Sequence, residues 1–438
     1  MLLEFTVGNF RSFAEEQTFS MLPLKGASNV HQTGGAYYPE VMKIAALYGA
    51  NGSGKSNLVN AIAEFREVVW SSGEWNSTRN LPYQPFIYDA ELRQKPTKFE
   101  ILLSIGDQVW RYGFSYNSKR IESEWLFCRP FSTNRENRVF ERYFRAGKYI
   151  IMTSEALNPQ KALLTKHTND NQLFISKLDQ FNEKETKDAF HWIVFGLRPI
   201  GNPDGFPRAM TADYCANLAT RKAVVKFLNS VGIRVTDIFI ETEETKFEGK
   251  DTIARILLNA GSEPILAHGE DDKITRYSIQ FVNMDRNNKP IAIDFKEESS
   301  GTKNLFALAA AIMDSCSHGY TLIVDELNQS FHNAALRQII KIFKNPEANP
   351  SGAQLIFTSH DTHLMNTLER DELWFADKQD DGATELFGLS DFAQIKKGGA
   401  RREGAFGKQY LEGRYGALPE TDILEAIRSL KTIEQANQ

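Results

Sequence analysis

The order of apolar and polar positions predicts that the chain begins with strands and one long helix. Leu2–Val7 alternates weakly between apolar and polar residues, and Lys43–Tyr48 is a short apolar run typical of a buried strand. In Ser53–Val69 the apolar residues recur on one face of a helix. Three alternating, aromatic-rich segments then predict an antiparallel β meander: Phe99–Ile105, Gln108–Tyr116 and Ile121–Cys128.

Helical periodicity dominates the middle of the chain, and strand patterns return after it. The predicted helices are Leu163–Leu178, Glu183–Phe195 and Thr211–Val231. Strands are predicted again over residues 235–296, with a hairpin loop at Asp285–Asn288.

Helices and short apolar strands alternate towards the C-terminal end. The predicted helices there are Asn304–Asp314, Ala334–Phe343 and Glu420–Ile433. The predicted strands are Thr321–Val324, Gln354–Thr358 and a hairpin within Leu373–Leu389. Alternation of this kind is typical of an α/β fold. We therefore expect an α/β protein in three parts: an N-terminal lobe over 1–154, a helical insertion over 155–235 and a C-terminal lobe over 236–438.

Composition and charge narrow the functional classes. The chain has 438 residues, with 51 basic and 56 acidic side chains and a formal net charge of −5. The chain as a whole therefore lacks the basic footprint that nucleic-acid binding favours. The three cysteines are far apart in sequence, which argues against a zinc ribbon and suits a reducing compartment. There is no secretory signal and no run of about 18 apolar residues, so we expect a cytoplasmic protein without a membrane span.

One segment between the apolar strand and the long helix matches the phosphate-binding pattern G-x-x-x-x-G-K-[ST] in full. Glycines let the backbone wrap around phosphates, the helix N-terminus attracts negative charge, and the lysine neutralises it. The serine hydroxyl that ends the pattern is a ligand for Mg²⁺. The segment therefore predicts a site for ATP with Mg²⁺ at Ser56, and its candidate nucleotide-binding residues are Gly49, Asn51, Gly52, Ser53, Gly54, Lys55, Ser56 and Asn57.

A second segment, Thr321–Glu326, is an apolar strand that ends in two acids. Two carboxylates at the end of a buried strand require a cation nearby. Asp325 is a candidate Mg²⁺ ligand, directly or through water, and Glu326 is a candidate general base for the attacking water. A strand that merely runs out into solvent can end in the same two acids, and the upstream phosphate loop is what makes the pattern specific.

Two weaker features lie nearby in the sequence. Ser299, Ser300 and Gly301 open the helix predicted at Asn304–Asp314, either as an ordinary N-cap or as a second anion-binding helix start. His360 follows a buried strand, where a single histidine is more often structural than functional.

The order of these motifs resembles the ABC-type ATPase heads of SMC and RecF proteins. In that family, a signature motif of one subunit contacts the γ-phosphate that another subunit holds. The resemblance implies that Ser299, Ser300 and Gly301 contact a partner subunit's nucleotide, and that His360 contacts the same phosphate as a switch histidine. It therefore implies a homodimer or a higher homo-oligomer.

Further segments narrow the resemblance. Phe5–Phe13, the EESSGT and DELNQSFH segments and Tyr410–Pro419 are similar to AAA-like ATPases grouped with bacterial abortive-infection and OLD proteins, of the RloA/AbiLi type. In SMC-like heads the arginine of the NFRSF element lies near the nucleotide, which makes Arg11 a candidate. A glutamine that contacts the metal should also follow the phosphate loop. Gln84 is the nearest candidate, with a polar loop residue as the alternative.

The resemblance implies an ATP-hydrolysing sensor or regulator in bacterial anti-phage defence. OLD proteins carry a TOPRIM nuclease domain after the ATPase, but too few residues follow His360 here for such a domain. We therefore expect a separate effector protein, such as a nuclease or a toxin, and a surface for partners or self-assembly on the helical insertion.

Two other functions stay open at this point. One is a RecF-like or SMC-like DNA-repair ATPase that acts directly on DNA. The other is a scaffold that binds nucleotide without turnover, against which Glu326 argues. The basic segment Lys396–Arg402 is a candidate contact for nucleic acid, with a solvated loop as the favoured alternative because no aromatic residues interleave.

Overall fold

A computed structural model of the chain describes residues 1–24, 26–201, 208–246, 265–268, 273–328, 331–391 and 405–418. The predicted helix Glu420–Ile433 and the basic segment Lys396–Arg402 lie outside these residues. Within them, no helix combines the length and the apolar character that crossing a bilayer requires.

The described strands and helices follow one another as mixed α and β elements. In chain order, the strands are β1 (Leu2–Gly8), β2 (Gln17–Ser20), β3 (Val30–Gln32), β4 (Glu40–Met42), β5 (Ile44–Tyr48), β6 (Thr97–Ile105), β7 (Gln108–Tyr116), β8 (Ile121–Pro130), β9 (Asn137–Arg145), β10 (Lys148–Thr153), β11 (Leu197–Ile200), β12 (Asp237–Lys246), β13 (Ile265–His268), β14 (Lys273–Met284), β15 (Pro290–Asp294), β16 (Thr321–Val324), β17 (Gln354–Thr358), β18 (Leu373–Lys378) and β19 (Thr384–Gly388). The helices are α1 (Lys55–Ser71), α2 (Asn158–His167), α3 (Phe174–Gln180), α4 (Lys184–His191), α5 (Arg208–Ala216), α6 (Leu218–Ser230), α7 (Ser300–His318), α8 (Asn333–Lys344), α9 (Thr362–Met365) and α10 (Phe406–Leu411).

The central sheet has six strands in the order β11-β16-β17-β5-β18-β19, and all neighbours are parallel except the last pair. Strands β5, β16 and β17 are buried along their whole length, which is why their sequences are continuous apolar runs. Since parallel strands end at the same edge, the segments that follow β16, β17 and β5 are neighbours in space.

An antiparallel sheet of seven strands, β10-β9-β8-β7-β6-β1-β2, contains the predicted meander as β6, β7 and β8. Helix α1 shares one hydrophobic cluster with this sheet and with side chains of the central sheet. Phe65 of α1 packs edge-on to Phe5 and is stacked on Phe114, with ring centroids 5.6 and 5.5 Å apart. The helix that follows the phosphate loop therefore joins the two sheets.

Helix α7 lies in a second hydrophobic cluster with the other face of the central sheet. Phe306 of α7 contacts Phe281 and Phe295, with ring centroids 5.7 and 5.0 Å apart. Phe281 belongs to β14, which pairs antiparallel with β12, β13 and β15 in the region where strands were predicted. Helix α7 is thus held from both sides over most of its length.

The stretch 155–235 is mostly helical, as its periodicity predicts, but it also contains β11, which was not predicted. This strand forms one edge of the central sheet, where Leu197 pairs with Thr321. Pro199 has no N–H group to donate, which an edge strand tolerates. The stretch is therefore tied into the core, and the division at 154/155 and 235/236 stays a prediction.

Two helices that the periodicity predicts as continuous are each divided in the structure. Between α2 and α3, the buried Arg142 guanidinium donates to the carbonyls of Asn169 and Gln172, at 3.3 and 2.7 Å. Between α5 and α6, the Asn217 side chain caps the new helix by accepting from the N–H of Ala219 at 2.8 Å. Both breaks come from polar contacts, which an apolar period does not show.

Candidate active site

The phosphate-loop segment joins β5 to α1, as predicted. Its three glycines all have positive φ angles, 151° at Gly49, 77° at Gly52 and 109° at Gly54. A β-carbon on Gly49 would collide with the carbonyl oxygen of Ala376, and one on Gly54 would collide with the side chain of Thr384. The loop can therefore pass this close to Ala376 and Thr384 only with glycine at positions 49 and 54.

The loop forms one wall of a pocket of about 170 Å³. The pocket lies where β5, β16 and β17 end, and its lining residues are Asn51, Gly52, Gly54, Lys55, Ser56, Asn57, Glu326 and His360. Two residues of the loop that are predicted to bind nucleotide, Gly49 and Ser53, do not line it. Ser53 is buried, and its hydroxyl oxygen has no hydrogen-bond partner.

Lys55 is buried, and its ammonium group lies on the loop itself. Its Nζ donates to the carbonyl oxygens of Gly49 and Ala50, at 2.9 and 2.8 Å. Burial lowers the pKa of Lys55 to about 8, while the charges of Asp325 and Glu326 act in the opposite direction. An anion in the pocket would favour the charged form, so the pocket suits negatively charged phosphates.

The two acids that follow β16, Asp325 and Glu326, are held by Thr358, the last residue of β17. The Thr358 hydroxyl accepts from the N–H of Glu326 at 2.7 Å and donates to Oδ1 of Asp325 at 2.6 Å. Glu326 has a left-handed φ of 52°, which is uncommon outside glycine. Its carboxylate lines the pocket, so this turn directs it towards the phosphate loop.

His360 faces the same pocket. Its Nε2 lies 4.0 Å from Oε1 of Glu326, and its backbone N–H donates to the Asn328 side chain at 3.3 Å. Burial, followed by the charge of Lys55, lowers the pKa of His360, and Asp325 opposes this shift. The lowered pKa favours the neutral ring, which can act as a hydrogen-bond donor or acceptor.

The predicted signature residues lie elsewhere on the chain. Ser299 is the N-cap of α7 and accepts from the N–H of Thr302 at 3.2 Å. Ser299 and Ser300 are exposed, and neither they nor Gly301 line the pocket of their own chain.

Arg11 and Gln84, predicted as nucleotide and metal contacts, pair with each other. Nε of Arg11 donates to the Gln84 side-chain oxygen at 2.9 Å, and its backbone N–H donates to the Gln84 carbonyl at 2.8 Å. Neither residue lines the pocket. A metal contact through the Gln84 oxygen would require Gln84 to release Arg11.

Three residues that support the site were missed by the sequence reasoning: Thr358, Ser12 and Thr384. Thr358 could have been noticed as a hydroxyl at the end of a buried strand. Ser12 and Thr384 contact each other across 372 positions of the chain, and no local pattern signals such a contact.

A glycine-rich loop between a buried parallel strand and a helix, faced by the acid and the histidine that follow the neighbouring strands, defines an α/β protein with a P-loop nucleotide-binding fold. This confirms the predicted fold class. The chain belongs to the family described as "AAA domain, putative AbiEii toxin, Type IV TA system", which matches residues 44–206 and 219–366, well over half of the chain. The predicted resemblance to AAA-like ATPases of the abortive-infection group is thereby confirmed.

Two solved structures are similar to this chain. One is the Smc head domain with an extended coiled coil, bound to the C-terminal domain of ScpA, from Pyrococcus furiosus. It has 14% identity and a TM-score of 0.40, and the match covers 90% of this chain and 98% of that chain. The other is the Smc head domain with a coiled coil and joint from Pyrococcus yayanosii, with 9% identity and a TM-score of 0.41. The match covers 94% of this chain and 99% of that chain. No curated protein matches the chain. These likenesses are distant, so the fold assignment rests on the strand order and the family match.

Proposed function

We propose that the chain binds ATP with Mg²⁺ in this pocket and hydrolyses it at a site completed by a second copy. The observation that carries the proposal is the convergence of Lys55, Glu326 and His360 on one pocket, from the ends of three adjacent parallel strands. Each supplies a different function that phosphoryl transfer to water needs: a cation, a general base and a neutral hydrogen-bonding group.

The residues present suit a nucleotide and a metal ion. The buried Ser53 hydroxyl of the loop has no hydrogen-bond partner, and the Lys55 ammonium donates to two loop carbonyls. Ser56 and Asp325 would hold Mg²⁺, which neutralises charge on the phosphates when bound. Glu326 would take a proton from the attacking water, and its backbone turn holds it at the pocket wall.

A second copy is part of the proposal because the start of α7 lies outside its own pocket. Its exposed first turn offers hydroxyl groups and backbone N–H groups to an anion. Two head-to-tail copies would place each Ser299–Gly301 segment over the other copy's nucleotide, about a two-fold axis. ATP would then strengthen dimerisation, because it binds preferentially to the paired form.

For the biological role, we propose a regulator in bacterial anti-phage defence that controls a separate effector. The family description, which names a toxin and a toxin–antitoxin system, supports this class of role. The test is phage plating on cells that carry the native locus. Lys55→Ala should abolish protection, and full protection by that variant would contradict a role for nucleotide.

The chemical part is tested by Lys55→Ala and Glu326→Gln. Lys55→Ala should lose ATP binding because the phosphates lose their main cation. Glu326→Gln should bind Mg·ATP as the wild type does, with turnover lower by about 100-fold or more, because only the base is lost. Turnover by Glu326→Gln at the wild-type rate would show that the base is misassigned.

A further inference from the structure

A line of hydroxyl groups connects α1, the segment after β1, and the hairpin β18–β19. Nδ2 of Asn57 donates to the Ser12 hydroxyl at 2.7 Å, and the Ser12 and Thr384 hydroxyls lie 2.8 Å apart. The Thr384 hydroxyl donates to the carbonyl oxygen of Ser53 at 2.8 Å. The four groups are the Asn57 side-chain amide, the Ser12 and Thr384 hydroxyls and the Ser53 carbonyl. We call this hydrogen-bonded series the hydroxyl chain.

The Thr384 hydroxyl is the donor to both of its neighbours. It points at the Ser12 hydroxyl and at the Ser53 carbonyl, so its one proton is shared between these two acceptors. Ser12 accepts from Asn57 and from Thr384, which uses both of its lone pairs and fixes the place of the Thr384 hydroxyl.

Backbone contacts fix the ends of the chain. Thr384 is buried, and its backbone N–H donates to the Ser12 carbonyl at 2.7 Å. Two residues further along β19, the N–H of Leu386 donates to the Gln17 side chain at 2.9 Å. The hairpin is therefore attached both to the phosphate loop and to the segment that enters β2.

The contact with Ser53 decides how the loop is presented to the pocket. In a trans peptide the C=O and the following N–H point in opposite directions. A hydrogen bond that draws the Ser53 carbonyl towards Thr384 therefore turns the Gly54 N–H away from Thr384. Gly54 lines the pocket, and the Thr384 side chain occupies the space where a β-carbon on Gly54 would lie.

We propose that Ser12 and Thr384 are positioning residues, which hold the Ser53–Gly54 peptide in its phosphate-binding orientation through the hydroxyl chain. They touch no nucleotide themselves. This inference rests on the proposed nucleotide binding and goes beyond it, because it assigns the shape of the loop to residues from two distant segments.

The test is Mg·ATP affinity, measured by calorimetry on the full chain. Thr384→Val keeps the shape and removes the hydroxyl, and it should weaken affinity about ten-fold, since a buried hydrogen bond is lost at the loop. Thr384→Ser restores the hydroxyl and should bind within about two-fold of the wild type. Thr321→Val is the matched control: it removes a buried hydroxyl that donates to Gln354 at 2.8 Å, at the start of β16 and far from the pocket. It should leave affinity unchanged.

Ser12→Ala removes the other hydroxyl of the chain, and it replaces Thr384→Val in the test if that variant fails to fold. It should weaken affinity several-fold, and the double variant Ser12→Ala/Thr384→Val should be no weaker than the worse single variant, because both break one chain. Wild-type affinity in Thr384→Val or Ser12→Ala would overturn the inference, as would losses that add. Absence of binding by the wild type would instead contradict the proposed function itself.

Discussion

Two helix starts in this chain carry glycine and serine, and they are built differently. Helix α1 has Gly54 as its N-cap, with no side-chain hydrogen bond to its first turn, and lies at a pocket lined by three segments. Helix α7 has Ser299 as its N-cap, and that side chain already accepts from Thr302. The first is shaped by contacts within its own chain, whereas the second is exposed.

The difference supports the proposed shared site, in which one chain would hold the phosphates at α1 and offer the start of α7 to a second copy. At α1, Thr384 and Ser12 hold the loop and Thr358 holds the acids. At α7, the body of the helix is buried, and its first turn is exposed and can meet another molecule. If the site is shared between copies, damage to the two starts should have different consequences for binding and turnover.

The largest expected effect comes from a substitution at the exposed start. Ser300→Arg places a bulky side chain in the proposed interface between copies, so turnover should fall to background while the pocket at Lys55 still binds Mg·ATP. Ser317→Arg, at an exposed position near the other end of α7, is the matched control and should turn over normally. Loss of both Mg·ATP binding and turnover in Ser300→Arg would contradict separate roles for the two helix starts.

The next largest effect concerns Lys55, the first residue of α1. With the pKa of Lys55 near 8, the fraction of charged Lys55 falls as pH rises above 8. Bound phosphates favour the charged form of Lys55. Above pH 8, Mg·ATP binding must therefore be accompanied by protonation of Lys55, whereas below pH 8 Lys55 is already charged and affinity does not depend on its titration. Mg·ATP affinity should fall about ten-fold between pH 7 and pH 9. Equal affinities by calorimetry at the two pH values would contradict this account of Lys55.

The smallest effect lies further along α1. Burial raises the pKa of Glu64 to about 7, and Arg11 opposes this shift. A carboxyl with a raised folded-state pKa contributes stability at low pH that is lost as pH rises through about 7. Glu64→Gln should therefore stabilise the fold at pH 8 by about 1 kcal/mol, after allowance for solvent screening, and should have no such effect at pH 5.

Thermal unfolding at both pH values measures the Glu64 effect. Glu91→Gln, whose side chain is 85% exposed, is the control and should change nothing. A Glu64→Gln protein that is no more stable than the wild type at pH 8 would show that Arg11 and solvent already compensate the buried charge.

Short-range patterns explain what could be predicted from the sequence. The strand, loop and helix around Lys55 are contiguous, and the acids and His360 directly follow apolar runs, so local periodicity was sufficient. Strand β11 was missed because four residues that include Pro199 carry no strand signal. The contact between Ser12 and Thr384 depends on how the hairpin packs against the segment before β2, which only the folded chain defines.

The shared site is tested most directly by mixing two inactive variants. Lys55→Ala keeps an intact start of α7, and Ser300→Arg keeps an intact phosphate loop. A dimer that contains one of each has one complete composite site. The account predicts that the two variants, each inactive alone, recover ATP hydrolysis when mixed. No recovery at any mixing ratio with both variants folded, or hydrolysis by a wild-type monomer at every concentration, would contradict it.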